Sequence, residues 1–214
     1  ITFMDSLIIQ KILEFWLGDA CASDQKALQR KQFWYDGGQL VDQEIREHFS
    51  DEIKNACNGT SLHWAQTPNG ALALVILLDQ FTRNIYRNTS HAYCGDKLAL
   101  EIVSASIRQK HDIDLSPVAA IWFYHPFHHS EILAEQDEGL SLLKHLKKRS
   151  DQKWHEYIER SIEGWTRHRQ IIARFGRFPH RNHILRRKST LDEKQFLSED
   201  GQSFGQGPRL AKDN

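Results

Sequence analysis

"TPNGALALVILLDQFTRNIYR", residues 67–87, decides how the rest of the chain is read. Thr67 is a helix N-cap, and Pro68 suits the first helical position, where its missing N–H would have had no partner and its φ is already helical. The run Ala71–Leu78 is apolar on every face, as expected of a helix surrounded by other helices. Polar residues then follow abruptly in Asp79-Gln80-Phe81-Thr82-Arg83-Asn84. Asp79 and Arg83 stand four apart on one helical face. An exposed pair at that spacing adds only ~0.2–0.5 kcal/mol. Here the helix is buried upstream, and buried charge demands partners.

The same periodicity extends outward in both directions. In "DSLIIQKILEFWLG", Leu7, Ile8, Ile12, Phe15 and Trp16 recur at helical steps, with Asp5 or Ser6 as cap and Gly18 as stop. Further helices are predicted from Ser23 to Gly37-Gly38, from Gln39 to Cys57 and from Asp96 to Lys110. Ser116-Pro117 opens another. Pro126 is expected to break that one, leaving a helix to Tyr124 and a new one capped by Ser130, with Glu131 in its first turn. A long helix should span Asp151 to Phe178 and stop at Pro179. Ser189-Thr190 should cap a last short one, "LDEKQFL". No alternating strands with hairpin turns occur, so the class is all-α. No clean 34-residue self-similarity is present, so any repeat architecture is degenerate. The organisation predicted is a single all-helical domain over residues 1–198 and a loose polar tail over 199–214.

Composition narrows the function. Of 214 residues, 40% are hydrophobic, with 11 Phe, 6 Trp and 5 Tyr, enough for a substantial core. Lys+Arg and Asp+Glu balance at 28 each, which argues against coating nucleic acid. The basic runs Arg186-Arg187-Lys188 and Lys144–Arg149 read as solvated helix ends. Cys21, Cys57 and Cys94 lie far apart without a CxxC, and read as reduced apolar fillers. No apolar run approaches the ~18 residues of a membrane span. The N-terminus lacks the layout of a signal peptide. A cytoplasmic protein without membrane or nucleic-acid partners is the expectation.

Two more polar stretches interrupt apolar packing. In "HPFHHSE", residues 125–131, His129 and Glu131 are two apart, and no HExxH occurs; His128 and Glu131 have better spacing, at three. No metal or cofactor is therefore expected. In "RHRQIIARFGRFPHRN", residues 167–182, His168, Ile172 and Phe175 align on one helical face, and Ile171, Arg174 and Phe178 on another. Gly176 is read as room for close backbone approach. Residues His180-Arg181-Asn182 then fall at a helix break, where unpaired backbone donors, arginine forks and imidazoles would make an anion cradle.

Together "LDQFTRN", "PFHHSE" and "RHRQIIARFGRFPHRN" resemble a bacterial family, domain-of-unknown-function family 924, over most of the chain from "ILEFWLG" to Ser203-Phe204. The resemblance implies a tetratricopeptide-like α/α superhelical array, here of about eight helices. The matching positions are Asp79, Gln80, Arg83, Asn84, His129, Ser130, Glu131, His168, Gly176, Arg177, His180, Arg181 and Asn182. The family pattern has a proline where this chain has Thr82, which relaxes a helix constraint. It has an acidic residue where this chain has His128, and it does not match His125, which removes both histidines from a shared role. The family brings no settled activity.

The functional expectation is that the three polar segments meet in one pocket on a helical scaffold. Arg83, Arg177 and Arg181 would outweigh Asp79 and Glu131 there and bind a small anionic molecule, with Asn84 and Asn182 as further ligand-binding residues. His129, His168 and His180, with Glu131, are the candidates for proton transfer. Hydrolysis or group transfer on a carboxylate or phosphate ester is the corresponding chemistry. The alternatives are a helical-repeat scaffold whose concave face binds a protein or peptide, a buried network that only fixes helix order, and a histidine-rich metal site.

Overall fold

A computed structural model describes residues 1–200, and every regular element in it is helical. The α-helices are α1 (Phe3–Leu17), α2 (Asp24–Lys31), α3 (Gly38–Cys57), α4 (Pro68–Val75), α5 (Thr82–Ile85), α6 (Asp96–Arg108), α7 (Pro117–His129), α8 (Leu133–Arg149), α9 (His155–Phe175) and α10 (Leu191–Asp200). A π-helical turn over Ile76–Phe81 fuses α4 and α5 into one rod. The expected tail lies outside the described residues, except that α10 continues through its first two positions.

The α4 rod is the centre of the molecule, with α1, α3, α6 and α7 packed around it. Residues 70–82 are all buried: the run Ala71–Leu78 as its all-round apolarity predicts, and the polar residues that follow it as well. Trp16 of α1 meets Phe81 and Trp122 edge-on, at ring separations of 5.6 and 5.1 Å. Beyond this core, α7, α8 and α9 each pack along the next. Short links join them, a stacking compatible with the tetratricopeptide-like arrangement. A smaller apolar cluster of Ile171, Ile172, Phe178 and Phe196 holds α10 against the end of α9.

Three expectations are corrected. The first helix is capped by Thr2, not Asp5 or Ser6; Asp5 is the reciprocal member of that capping box. Helix α7 runs unbroken through Pro126 to His129, so Ser130 ends it instead of opening the next helix. Glu131 accordingly lies in a link, ahead of α8. An internal proline removes one backbone bond and costs ~3 kcal/mol. Every residue from Val118 to His128 is buried, and that packing outweighs the lost bond. Helix α9 ends at Gly176, not at Pro179. With φ at 68° this glycine is a left-handed terminator, and nothing lies within 4 Å of where a Cβ would be, so close approach is not its role.

Candidate functional site

The π turn sets the site. In it Thr82 N–H reaches back five residues to the Leu77 carbonyl, and Thr82 Oγ donates to the Leu78 carbonyl at 2.7 Å. A proline at position 82 would forgo that N–H bond. The widened turn carries Asp79, which is wholly inaccessible to solvent. Such turns interrupt helices most often where a side chain must be placed for use.

Asp79 gathers three partners. His129 Nδ1 lies 2.8 Å from both carboxylate oxygens. Gln80 Nε2 donates to Oδ2. Arg83 Nη1 stands 3.2 Å from Oδ1. Arg83 continues to Asp96 at the start of α6, where Nη2 donates to Oδ2 at 3.0 Å. Asp96 comes this close because Gly95 precedes it: a Cβ on Gly95 would fall 2.3 Å from the Leu78 carbonyl oxygen. Arg181 arrives from the 3-10 turn Pro179–Arg181 that follows α9. Its Nη2 donates to the His129 carbonyl at 3.0 Å, and its Nη1 is 3.7 Å from Asp96. The guanidinium lies over the rings of Tyr93 and Phe178, 4.6 Å from each centroid. Segments as far apart in the chain as Asp79 and Arg181 therefore converge.

The centre is buried and balanced, with two guanidiniums facing two carboxylates. Two of its buried donors, Tyr93 Oη and Arg181 Nε, have no hydrogen-bond partner among the described residues, while Asp96 Oδ1 makes only an ion-pair contact, 3.0 Å from Arg83 Nη1. Buried polar atoms are nearly always hydrogen-bonded, so two unmatched donors side by side are unusual. Burial pushes the Asp96 carboxyl up, against the pull of Arg83 and Arg181.

The histidines are held neutral. Burial depresses His125 to about 4, His168 to about 3 and His180 to about 2. His128 and His129 are pushed well below the usual imidazole range, first by burial and then by neighbouring cationic groups. A neutral His129 facing a carboxylate donates through Nδ1–H, which leaves Nε2 unprotonated. His125 likewise points Nδ1 at the Ile121 carbonyl, 2.8 Å away.

The imidazoles form two stacks, with His125 edge-on to His128 at an interplanar angle of 89°. His125 lies on Trp122 and His128 on Trp165, with ring separations of 4.3 and 4.7 Å. His128 also stacks on His168 at 3.9 Å, and their Nδ1 atoms are 2.9 Å apart, close enough to share one proton. His125, set aside on the resemblance, thus meets both His128 and His129, because positions three and four apart share a face of α7.

Other expected site residues frame the centre without entering it. Glu131 accepts from the Phe178 N–H at 2.8 Å and from Arg187 Nη1 at 2.6 Å. Asn182 accepts from Arg187 Nε at 2.9 Å. Arg177 forms a two-pronged pair with Glu193 of α10, at 2.6 and 2.8 Å. Asn84 and Arg87 both donate to Asp42 of α3. The backbone donors expected to cradle an anion are also engaged: Arg181 N–H bonds to the Phe178 carbonyl and Asn182 N–H to that of Pro179. The net positive character expected of three arginines is therefore absent, since Arg177 turns away and Asp96 adds a carboxylate.

Sequence reasoning missed Tyr93, Asp96 and Arg187. Arg187 was read as solvated, yet it is the strut of Glu131 and Asn182. A surface recess of about 510 Å³ opens between residues 88–90 and 184–186, the segments next to those that deliver Tyr93 and Arg181. Among the described residues no group of three His, Cys, Asp or Glu is placed to hold a metal ion. No described helix is long and apolar enough to cross a membrane.

Comparison with known proteins agrees with this architecture. The model of a family of bacterial proteins of unknown function, DUF924, matches residues 12–201. A solved structure of a protein of unknown function from Agrobacterium tumefaciens is 34% identical in sequence, with a TM-score of 0.75. That similarity covers 91% of this chain and 98% of the other. Curated proteins yielded no match.

Proposed function

The chain belongs to the DUF924 family, and from its buried polar centre we propose that it binds a small anionic molecule at Arg181, Tyr93 and Asp96 and carries out hydrolysis or group transfer on it. The observation that carries this reading is the pair of buried donors without a hydrogen-bond partner among the described residues, Arg181 Nε and Tyr93 Oη, beside the Asp96 carboxylate. A carboxylate or phosphate oxygen is an acceptor for the two donors, Arg181 Nε–H and Tyr93 O–H. Asp96 takes up a proton as the anion enters, which keeps the centre balanced and gives the carboxyl a donor of its own. Its upward-shifted carboxyl supports that step.

His129 is the proton acceptor of the scheme. Neutral at neutral pH, it takes a proton through Nε2 from water or from an incoming hydroxyl. Asp79, at 2.8 Å from Nδ1, stabilises the imidazolium that forms. Arg83 and Gln80 hold Asp79 in place. His168 and His128 form the wall behind, and Glu131 positions the turn that delivers Arg181.

A thermal-shift series with carboxylates, inorganic phosphate and simple phosphate esters tests the binding step. A ligand at 100 times its dissociation constant adds about 2.7 kcal/mol to stability. Arg181→Lys, which keeps the charge but lacks Nε–H geometry, should abolish the shift, while Arg177→Lys should keep it. Equal responses from the two variants, or none from the wild type, would overturn the reading.

A further inference from the structure

Cys57 and Cys94 are 37 positions apart in sequence, yet their Sγ atoms lie 3.7 Å apart. Cys57 is the last residue of α3, and Cys94 sits between the 3-10 turn Ser90–Tyr93 and Gly95. Both thiols are reduced; Cys94 is exposed and Cys57 half-buried, so an oxidant in solution reaches the first. A disulfide needs its sulfurs about 2.05 Å apart, so each side chain has only a small rotation to make. The α3 side of the pair is fixed. Arg46 of α3 donates to the Ile85 carbonyl at 3.0 Å, and Asp42 of α3 holds Asn84 and Arg87. The other side, residues 90–96, carries Tyr93 and Asp96.

We propose that Cys57 and Cys94 form a reversible redox site at which a hydroperoxide oxidises Cys94 and Cys57 resolves it to a disulfide. The Cys94 thiolate attacks the outer peroxide oxygen. The O–O bond breaks, the leaving alkoxide or hydroxide takes a proton, and Cys94 becomes a sulfenic acid. The Cys57 sulfur then attacks the Cys94 sulfur, the S–O bond breaks, and the Cys57 proton leaves with the hydroxide as water. Two thiols and one hydrogen peroxide give one disulfide and two waters, and a dithiol reductant reverses the change. The order follows from access, since Cys94 is exposed and Cys57 half-buried, and the neighbouring Cys57 thiol, with His91 nearby, lowers the Cys94 thiol. Burial pushes the Cys57 thiol up, which suits the resolving role.

The bond would tie the segment carrying Tyr93 and Asp96 to the end of α3. The site stands independently of any ligand at Arg181, because its test reads only sulfur. Intact protein treated with equimolar hydrogen peroxide should lose two titratable thiols and 2 Da. Peptide mapping without reductant should recover Cys57 joined to Cys94, with Cys21 still a thiol. Cys57→Ser should stop at a Cys94 sulfenic acid that dimedone captures, and Cys94→Ser should leave Cys57 unoxidised. Retention of all three thiols, a crosslink involving Cys21, or dimedone capture at Cys57 in place of Cys94 would overturn the proposal.

Discussion

Nδ1 of His129 is 2.8 Å from both carboxylate oxygens of Asp79, joining the last turn of α7 to the π turn between α4 and α5. Asp79 is inaccessible to solvent, so its charge is held by His129, Gln80 and Arg83 and by nothing outside the protein. Asp79→Asn removes the charge and takes from the Arg83 guanidinium one of the two carboxylates it meets among the described residues, the other being Asp96. Breaking a buried pair in this way costs about 3–5 kcal/mol. Urea denaturation of the variant should show a loss in that range; a loss under ~1 kcal/mol would mean that the carboxylate is not carrying the network.

Tyr93→Phe has the opposite sign. The Tyr93 hydroxyl is buried without a hydrogen-bond partner among the described residues, so its removal discards a desolvated group and breaks no bond. Stability should hold or rise by about 1 kcal/mol, read as an unchanged or higher melting temperature. A drop of more than ~1 kcal/mol would show that the hydroxyl has a partner in the folded protein.

Acid should unfold the protein through its histidines. His125, His168 and His180 have folded values of about 4, 3 and 2, below the 6.5 of an unstructured imidazole. Between those limits the unfolded chain binds protons that the native state refuses. Stability is therefore highest above pH 6.5 and falls as pH drops toward 4, by up to about 1.4 kcal/mol per pH unit for each such group. Denaturation midpoints taken from pH 7.5 to 4.5 should fall steeply, and His125→Gln should flatten the profile. A flat wild-type profile would contradict neutral burial of these rings.

Two glycines separate backbone conformation from close packing. Gly176→Ala meets nothing within 4 Å and suffers only its left-handed φ of 68°, a cost of roughly 1 kcal/mol. Gly95→Ala would drive a methyl to 2.3 Å from the Leu78 carbonyl oxygen, forcing α6 away and taking Asp96 from Arg83 and Arg181. Thermal denaturation should show Gly95→Ala as the more damaging by several degrees. The reverse order would undo the account of how Asp96 is placed.

Local signals in the sequence are sufficient for the helices. Thr67-Pro68, the apolar run Ala71–Leu78 and the Ser116-Pro117 start each act within a turn or two, and each is observed. Pro126 misled because a proline's cost is local while the packing that absorbs it comes from α4, α6, α8 and α9. The convergence of Asp79, His129 and Arg181 was legible as three polar interruptions of apolar helices. Their partners were not. Asp96 and Tyr93 reach the centre through Gly95 against Leu78, and Arg177 leaves it for Glu193 of α10, contacts between distant segments that no periodicity encodes. Cys57 and Cys94 illustrate the same limit, since spacing along the chain gave no hint of 3.7 Å.

The most direct test follows the Nε–H resonance of Arg181 by 15N nuclear magnetic resonance while carboxylates, inorganic phosphate and phosphate esters are titrated in. The account predicts a saturable shift of that signal with at least one of these anions, lost in Arg181→Lys and weakened in Tyr93→Phe. An Arg181 signal that no anion in the series moves would contradict it and leave the buried centre as a structural network.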